Sequence, residues 1–211
     1  MKPPIICVVT DGRGDTLRTV ARIRAAAEAG VDLVQIREPH LPDRALLELT
    51  RQACDIAQGT STRIVVNDRL DVALEANAHG VHLRGCSYSA ARVRAIVTSE
   101  FLIGRSVHDL DEAVSAAREG GCNYLLFGTV FPSGSKPEGH RVAGLQALSE
   151  VCGRVTLPVI AIGGVTPATA GDIPRTGAAG IAAIGLFDDA ESIPRVVDLM
   201  RRTFDTGFLG I

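Results

Sequence analysis

Short apolar runs alternate along the chain with longer amphipathic segments. The runs fall at residues 5–10, 33–37, 64–67, 80–83, 102–104, 124–128, 159–162 and 181–185. Short runs of Val, Ile, Leu and Ala that lack polar alternation are typical of parallel strands covered on both faces. The pattern therefore predicts about eight buried strands.

The segments between these runs carry apolar residues at helical spacing. Examples are Leu17, Val20, Ile23 and Ala27; Ala45, Leu49, Ala53 and Ile56; and Ile193, Val197 and Met200. Parallel pairing of consecutive strands requires a crossover of this length, which is usually a helix. The repeated order of strand and helix predicts an α/β fold.

One local signature recurs where a predicted helix ends and the next strand begins. It places Gly30, Asn77, Gly121 and Gly177 at separations of 47, 44 and 56 residues. Gly and Asn tolerate the left-handed conformation that commonly follows a helix, and each separation fits two βα units. This repetition favours a single (β/α)8 TIM barrel over residues 1–211, with a doubly wound sheet as the alternative.

Charge and composition exclude several classes of function. The net charge is −2 and the basic residues are scattered, so neither a nucleic acid nor an anionic membrane is an expected partner. No apolar run approaches the roughly 18 residues of a membrane-spanning helix, and we expect a cytoplasmic protein. The five cysteines are odd in number, far apart and contain no C-x-x-C pair, so neither a disulfide framework nor a structural zinc site is indicated. A homodimer is compatible with the sequence.

The active site of such a barrel lies on the loops that follow the strands. Gln35 and Arg37 alternate with apolar residues at a strand end, where Arg can bind an oxyanion or pair with Glu38 or Asp68. Asn67 and Asp68 follow the next apolar run. A carboxylate at this position is a candidate Mg²⁺ ligand, although one carboxylate alone makes an incomplete site.

Two glycine-rich strand ends point to a phosphate site. Gly163 and Gly164 end one predicted strand, and Ile184 and Gly185 end the next. Backbone N–H groups can approach a phosphate closely only where side chains are absent, and the last two loops of these barrels commonly form such a site. We predict that these four residues bind phosphate.

The loop at residues 128–137 and the histidines supply further candidates. Ser133, Ser135 and Lys136 offer two hydroxyls and a cation that could close over a phosphate or diphosphate, and a solvated turn is the alternative. His108, His140 and Lys136 are the candidate catalytic residues, with either histidine as the acid or base. His82 is a further candidate, and a structural histidine is the alternative.

Six motifs occur in register along the chain: Gln35-x-Arg37, Val66-Asn67-Asp68, Gly-Val-His-Leu at residues 80–83, Ser106-x-His108, Gly128 to Lys136, and Ile-Gly-Gly-Val at residues 162–165. In this order they resemble the thiamine-phosphate synthase and thiazole tautomerase (TenI-type) family over nearly the whole chain. The resemblance implies the barrel and a role in thiamine biosynthesis. In the synthase branch a hydroxymethylpyrimidine diphosphate ionises with the help of Mg²⁺, and the nitrogen of a thiazole phosphate captures the cation.

The resemblance also implies roles for single residues. Asp68 would ligate Mg²⁺. The thiazole phosphate would be held by backbone N–H groups of Gly164, Ile184 and Gly185. The pyrimidine diphosphate would lie along a set of polar side chains: Gln35, Arg37, Asn67, Ser106 and Lys136.

Two departures from the synthase pattern fall on the diphosphate side. Pro39 stands where a Lys is expected, and Ser87 stands where the second metal-binding Asp is expected. Both losses should weaken the stabilisation of a departing diphosphate. Arg84 could restore one charge but cannot replace a metal ligand. The thiazole-phosphate side is intact.

We therefore favour a TenI-like tautomerase, which isomerises a thiazole carboxylate phosphate by proton transfer without a cofactor. Thr129, counted here among the substrate-binding residues, stands where that branch carries a His, so His108 or His140 would be the base. One alternative is a thiamine-phosphate synthase, a transferase that uses Mg²⁺. The other is a non-catalytic sensor of thiamine-related phosphates.

Overall fold

The computed structural model describes residues 4–133, 139 and 141–207. The eight strands are β1 (Ile5–Val9), β2 (Leu33–Ile36), β3 (Arg63–Asn67), β4 (Gly80–Leu83), β5 (Leu102–Val107), β6 (Tyr124–Gly128), β7 (Val159–Ile162) and β8 (Gly180–Ala183). The α-helices of the described part are α1 (Thr16–Glu28), α2 (Asp43–Ala57), α3 (Leu70–Glu75), α4 (Ala90–Arg94), α5 (Leu110–Glu119), α6 (Gly144–Arg154) and α7 (Ile193–Gly207).

Each strand pairs in parallel with the next one, and β1 also pairs with β8, so the sheet closes on itself. At the closure Ile5 lies opposite Gly180, and Val8 lies opposite Ala183. Closure confirms the predicted TIM barrel and rules out the doubly wound alternative, because an open sheet keeps two unpaired edges.

Alternate residues of each strand face opposite sides of the barrel wall. The inner side includes Cys7, Leu33 and Tyr124, which belong to a small buried cluster. The outer side packs under the helices and includes Val34 and Ile64, which belong to the large core cluster. Because both sides are apolar, the strands read in the sequence as continuous apolar runs.

The structure corrects the sequence analysis at three points. Ile184 and Gly185 lie beyond β8, and Gly185 begins a short 3₁₀ turn, Gly185–Phe187. Two 3₁₀ turns, Ala170–Asp172 and Pro174–Thr176, replace an α-helix between β7 and β8, where proline and glycine interrupt helical pairing. Leu17 is 85% exposed because the buried face of α1 begins beyond the first turn.

The four residues predicted to follow helix ends all adopt the left-handed conformation. Their φ angles are 73° at Gly30, 53° at Asn77, 86° at Gly121 and 83° at Gly177. The repeated signature in the sequence therefore marks a repeated backbone conformation.

Candidate functional site

Gln35 and Asn67 meet inside the barrel, near the C-terminal ends of β2 and β3. Gln35 is 3% exposed, and its Nε2 donates to Asn67 Oδ1 at 2.9 Å. Its Oε1 is buried and has no hydrogen-bond partner within the described residues. An unpaired buried amide oxygen costs about 1–3 kcal/mol. A ligand that donated a hydrogen bond to this atom would remove that cost.

Arg37 lies just past β2 with an exposed side chain, and its backbone N–H donates to Thr10 Oγ1 at 2.8 Å. Glu38, one of the partners considered for it, is instead buried. The two Glu38 carboxylate oxygens accept backbone N–H groups of Gly12 and Gly14, both at 3.3 Å. Glu38 therefore shapes the loop after β1, while Arg37 presents its charge at the rim.

Asp68, the predicted Mg²⁺ ligand, is occupied by Arg84. Its Oδ2 lies 2.6 Å from both Nε and Nη2 of the guanidinium, and its Oδ1 accepts the Arg84 backbone N–H at 3.3 Å. Burial alone would raise the pKa of Asp68. The nearby Ser87 hydroxyl, the hydrogen bonds from Arg84 and the Arg84 charge outweigh burial and lower that pKa.

A Mg²⁺ ion does not fit this arrangement of residues. Both oxygens of Asp68 already bind one cationic residue, and Ser87 offers no second carboxylate. No group of three or more His, Cys, Asp or Glu side chains that could hold a metal ion occurs in the described part of the chain. A hard cation of this kind needs several oxygen ligands.

His82 lies within the barrel and orients Ser106. Its Nε2 is 2.8 Å from Ser106 Oγ, and its Nδ1 is 3.3 Å from the Tyr124 hydroxyl. Burial lowers the pKa of His82 to about 3. The ring is therefore neutral near pH 7, so the structure supports the structural alternative rather than an acid or base role.

His108 is exposed at the end of β5, and its Nδ1 lies 2.6 Å from the Gly128 carbonyl oxygen. A carbonyl oxygen only accepts, so Nδ1 carries the proton of this hydrogen bond. In the neutral ring the lone pair then resides on Nε2. His108 thus presents a basic nitrogen beside the end of β6, next to Thr129.

The loop after β6 runs along the glycine pair after β7. Backbone N–H groups of Val130 and Phe131 donate to the carbonyls of Ile162 and Gly163, both at 3.0 Å. A Cβ added to Gly163 would lie 2.5 Å from Thr129 Cγ2. One added to Gly164 would lie 2.4 Å from the Pro132 carbonyl oxygen. Close packing of two loops therefore requires these glycines, apart from any phosphate.

The turn at Gly185 is held from behind by α1. Arg22, which is 2% exposed, donates from Nε to the Phe187 carbonyl at 2.9 Å and from Nη2 to the Ile184 carbonyl at 3.4 Å. Its Nη1 lies 3.1 Å from Asp11 Oδ2. Neither Arg22 nor Asp11 was predicted from the sequence. The available signal was an Arg within the apolar face of α1.

Three predicted site residues, Ser135, Lys136 and His140, lie outside the described residues. Ser133 is partly buried at the start of the loop after β6.

Cys86 is a free, exposed thiol in the loop after β4. None of the helices described is long and apolar enough to cross a membrane.

A (β/α)8 barrel with polar groups gathered at the C-terminal ends of its strands has the architecture of enzymes that act on small molecules. A family model described as thiamine monophosphate synthase matches residues 6–187. The chain belongs to this thiamine-phosphate synthase and TenI family of thiamine biosynthesis enzymes, as the six motifs predicted.

Individual relatives support the same family. A thiamine-phosphate synthase of Methanoculleus marisnigri is 42% identical over 180 residues, which cover 84% of each chain. One of Chlorobium luteolum is 36% identical over 189 residues, covering 90% of this chain and 87% of the relative. The structure of a thiamine phosphate pyrophosphorylase from Pyrococcus furiosus matches with a TM-score of 0.83, at 30% identity and 96% coverage of both chains. These names favour the synthase, our alternative, over the tautomerase.

Proposed function

We propose that the chain is a thiamine-phosphate synthase, which joins hydroxymethylpyrimidine diphosphate to a thiazole phosphate and releases diphosphate. One observation carries the proposal beyond the names of the relatives: the buried, unpaired Oε1 of Gln35. An amide oxygen accepts hydrogen bonds, and an amino-substituted pyrimidine supplies a donor. Asn67 fixes the Gln35 amide, so this oxygen is oriented before a ligand binds.

The remaining rim residues suit the departure of a diphosphate. When the carbon–oxygen bond breaks, the electron pair stays on the diphosphate, so nearby positive charge and N–H donors lower the barrier. Arg37 provides a positive charge past the end of β2, and Arg84, whose charge is balanced by Asp68, provides N–H donors past the end of β4. Ser106 of β5, positioned by His82, provides a hydroxyl. We assign Lys136 to the same group of anion-binding side chains.

The other side of the same rim, past the ends of β7 and β8, is assigned to the thiazole phosphate. Gly185 is exposed, and a Cβ added there would meet nothing within 4 Å, so the backbone is open to a ligand. We expect backbone N–H groups near Gly164 and Gly185 to bind the phosphate. Arg22 keeps the Gly185 turn in place through its two carbonyl contacts.

The test is the formation of thiamine phosphate from both substrates, measured by chromatography with Mg²⁺ and with EDTA. We expect product from the wild type. Gln35→Leu should lower kcat/KM by about 10–100-fold, because one buried hydrogen bond contributes on the order of 1–3 kcal/mol. Gln52→Leu is a matched control on the exposed side of α2 and should leave kcat/KM unchanged. Absence of product under both conditions would contradict the proposal.

The tautomerase is the second candidate, and the geometry of His108 favours it. Its Nε2 holds the lone pair in the neutral ring, as proton abstraction from a thiazole carboxylate phosphate requires. Isomer conversion in EDTA, slowed by His108→Gln, would support this function. Conversion that neither His108→Gln nor His140→Gln slows would show that the base lies elsewhere. Binding of thiazole phosphate without either reaction would identify a sensor.

A further inference from the structure

The Asp68–Arg84 pair is unequally exposed. The Asp68 side chain is 14% exposed and the Arg84 side chain is 62% exposed. The guanidinium uses its Nε and Nη2 on the carboxylate, which leaves the donors of Nη1 directed away from that contact. The outer surface of the pair is therefore a guanidinium edge, while the carboxylate lies beneath it.

The loop that carries Arg84 is fastened to the barrel at several points. The Tyr88 hydroxyl donates to the Asp68 carbonyl at 3.0 Å. Arg105 of β5 donates to the carbonyls of Tyr88 at 2.8 Å and Gly85 at 2.9 Å. A guanidinium held in one place loses less conformational entropy when it binds a ligand. These contacts, together with Asp68, therefore lower the entropy cost of binding an anion to Arg84.

Arg84 also lies beside the residues assigned to the diphosphate. Asp68 directly follows Asn67, which bonds to Gln35. On the other side, a Cβ added to Gly85 would lie 3.5 Å from the Ser106 carbonyl oxygen. The loop from residue 84 to residue 88 therefore contacts residues at the ends of both β3 and β5. No cluster of side chains that could hold a metal ion occurs there among the described residues.

We propose that Arg84, held by Asp68, binds the substrate diphosphate directly in the place where a two-carboxylate site would hold a divalent cation, so that anion binding at this rim requires no metal. The identity of the anion rests on the proposed function. A guanidinium can donate in parallel to phosphate oxygens. Because Asp68 neutralises the charge of Arg84, this residue contributes directed donors, and Arg37 contributes the excess positive charge.

Inorganic pyrophosphate is the probe, titrated calorimetrically into the full chain with EDTA and with Mg²⁺. We expect binding in EDTA, no tighter binding with Mg²⁺, and at least about tenfold weaker binding by Arg84→Met, since a charge-assisted contact contributes roughly 1.5–3 kcal/mol. Arg84→Lys, which keeps the charge but loses the fork, should be intermediate. Arg51→Met is the control, because that guanidinium pairs with Glu75 on the outer surface and should not matter.

Three results would overturn the inference: binding that requires Mg²⁺, binding that Arg84→Met leaves intact, or no binding in any condition. Circular dichroism of each variant confirms that it is folded. Titration with Mn²⁺, followed by electron paramagnetic resonance, is independent of catalysis. The wild type should leave Mn²⁺ free, and Mn²⁺ binding that Asp68→Asn abolishes would also overturn the inference.

The outcomes separate this inference from the proposed function. A chain that binds pyrophosphate through Arg84 but forms no thiamine phosphate keeps the anion site and loses the synthase assignment. A chain that forms thiamine phosphate only with Mg²⁺, and equally well as Arg84→Met, keeps the synthase assignment and loses the anion site.

Discussion

Burial decides what each histidine near the site can do. His82 sits between Ser106 and Tyr124 inside the barrel, while His108 is exposed at the end of β5. In the sequence both follow apolar residues, and periodicity alone does not tell them apart. In the closed barrel the side chain of His82 points inward, and the loss of solvation there keeps its ring neutral.

Acidification should destabilise the protein through His82. Its pKa falls from 6.5 to about 3 on burial, so between these values the unfolded chain binds more protons than the folded one. The free energy of unfolding therefore falls as the pH falls through this window, with a slope of up to roughly 1.4 kcal/mol per pH unit. Urea unfolding between about pH 7 and pH 5 measures this slope.

His82→Gln should remove most of that slope, although it also lowers stability at neutral pH by disturbing Ser106 and Tyr124. A smaller slope should persist because burial also lowers the pKa of His79. A slope in His82→Gln equal to that of the wild type would show that His82 does not titrate as a buried group.

The two glycine segments predicted to bind phosphate should respond differently to alanine. Gly164 has a φ of 66°, and its added Cβ would lie 2.4 Å from the Pro132 carbonyl oxygen. Gly164→Ala should therefore cost about 2–4 kcal/mol of stability, from backbone strain and overpacking. Gly185→Ala meets no neighbour within 4 Å and should change stability by less than about 0.5 kcal/mol.

Thermal unfolding and the KM for thiazole phosphate distinguish these effects. Gly185→Ala should raise KM with little change in stability if the open backbone at Gly185 contacts the phosphate. An unchanged KM in Gly185→Ala would remove Gly185 from the phosphate site, and equal destabilisation by both variants would refute the packing argument.

The residues at the rim could be predicted from the sequence, but their partners could not. Asn67, Asp68 and Ser106 follow from the positions of apolar runs, because polar residues at strand ends of a barrel face the same rim. The ion pair between Asp68 and Arg84 depends on the conformation of the loop after β4. Hydrophobic periodicity carries no information about that loop.

At the scale of elements, α1 supports the turn after β8. Arg22 is buried and bonded to two carbonyls of that segment, and its charge is balanced by Asp11. Arg22→Met would leave these carbonyls without their donor and would remove the buried cation beside Asp11, whose other cationic neighbour is the exposed Arg13 at 3.9 Å. We expect a loss of about 2–4 kcal/mol in the free energy of unfolding, together with a higher KM for thiazole phosphate.

Arg18→Met is the matched control from the same helix. Its pair with Asp188 is 40% and 38% exposed, so its loss should cost less than about 1 kcal/mol. Denaturant unfolding of both variants gives the comparison. An equal loss in the two variants, or an unchanged KM in Arg22→Met, would argue against a positioning role for Arg22.

At the scale of the whole molecule, the order of strands was predictable because the apolar runs are short and regularly separated. The observed fold differs from the predicted one where glycine and proline interrupt the regular alternation of strand and helix. Between β7 and β8 the predicted helical crossover is reduced to two 3₁₀ turns. The sequence indicated the end of this segment correctly, at Gly177, but not the absence of an α-helix before it.

A network of hydrogen bonds at the N-terminal end of the barrel involves Arg201 and Asp32. Away from the candidate site, Arg201 of α7 donates to the carbonyls of Pro4 and Gly30 and to Asp32 Oδ2, the last at 2.8 Å. Asp32 in turn accepts the Ile6 backbone N–H at 2.8 Å. This network joins the last helix to the first strand at the N-terminal end of the barrel, the end that in such barrels supports stability rather than catalysis.

Arg201→Met should therefore destabilise the protein without affecting substrate binding. It removes several charge-assisted hydrogen bonds and leaves Asp32 partly buried without its cation, so we expect a loss of about 2–4 kcal/mol. Arg202→Met, at the neighbouring position, removes an exposed pair with Asp198 and should cost less than about 1 kcal/mol. Thermal unfolding measures stability, and steady-state kinetics at a temperature where both variants are folded measures KM. A KM that changes more than about threefold in Arg201→Met, on the order of 0.7 kcal/mol, would show that the two ends of the barrel are coupled.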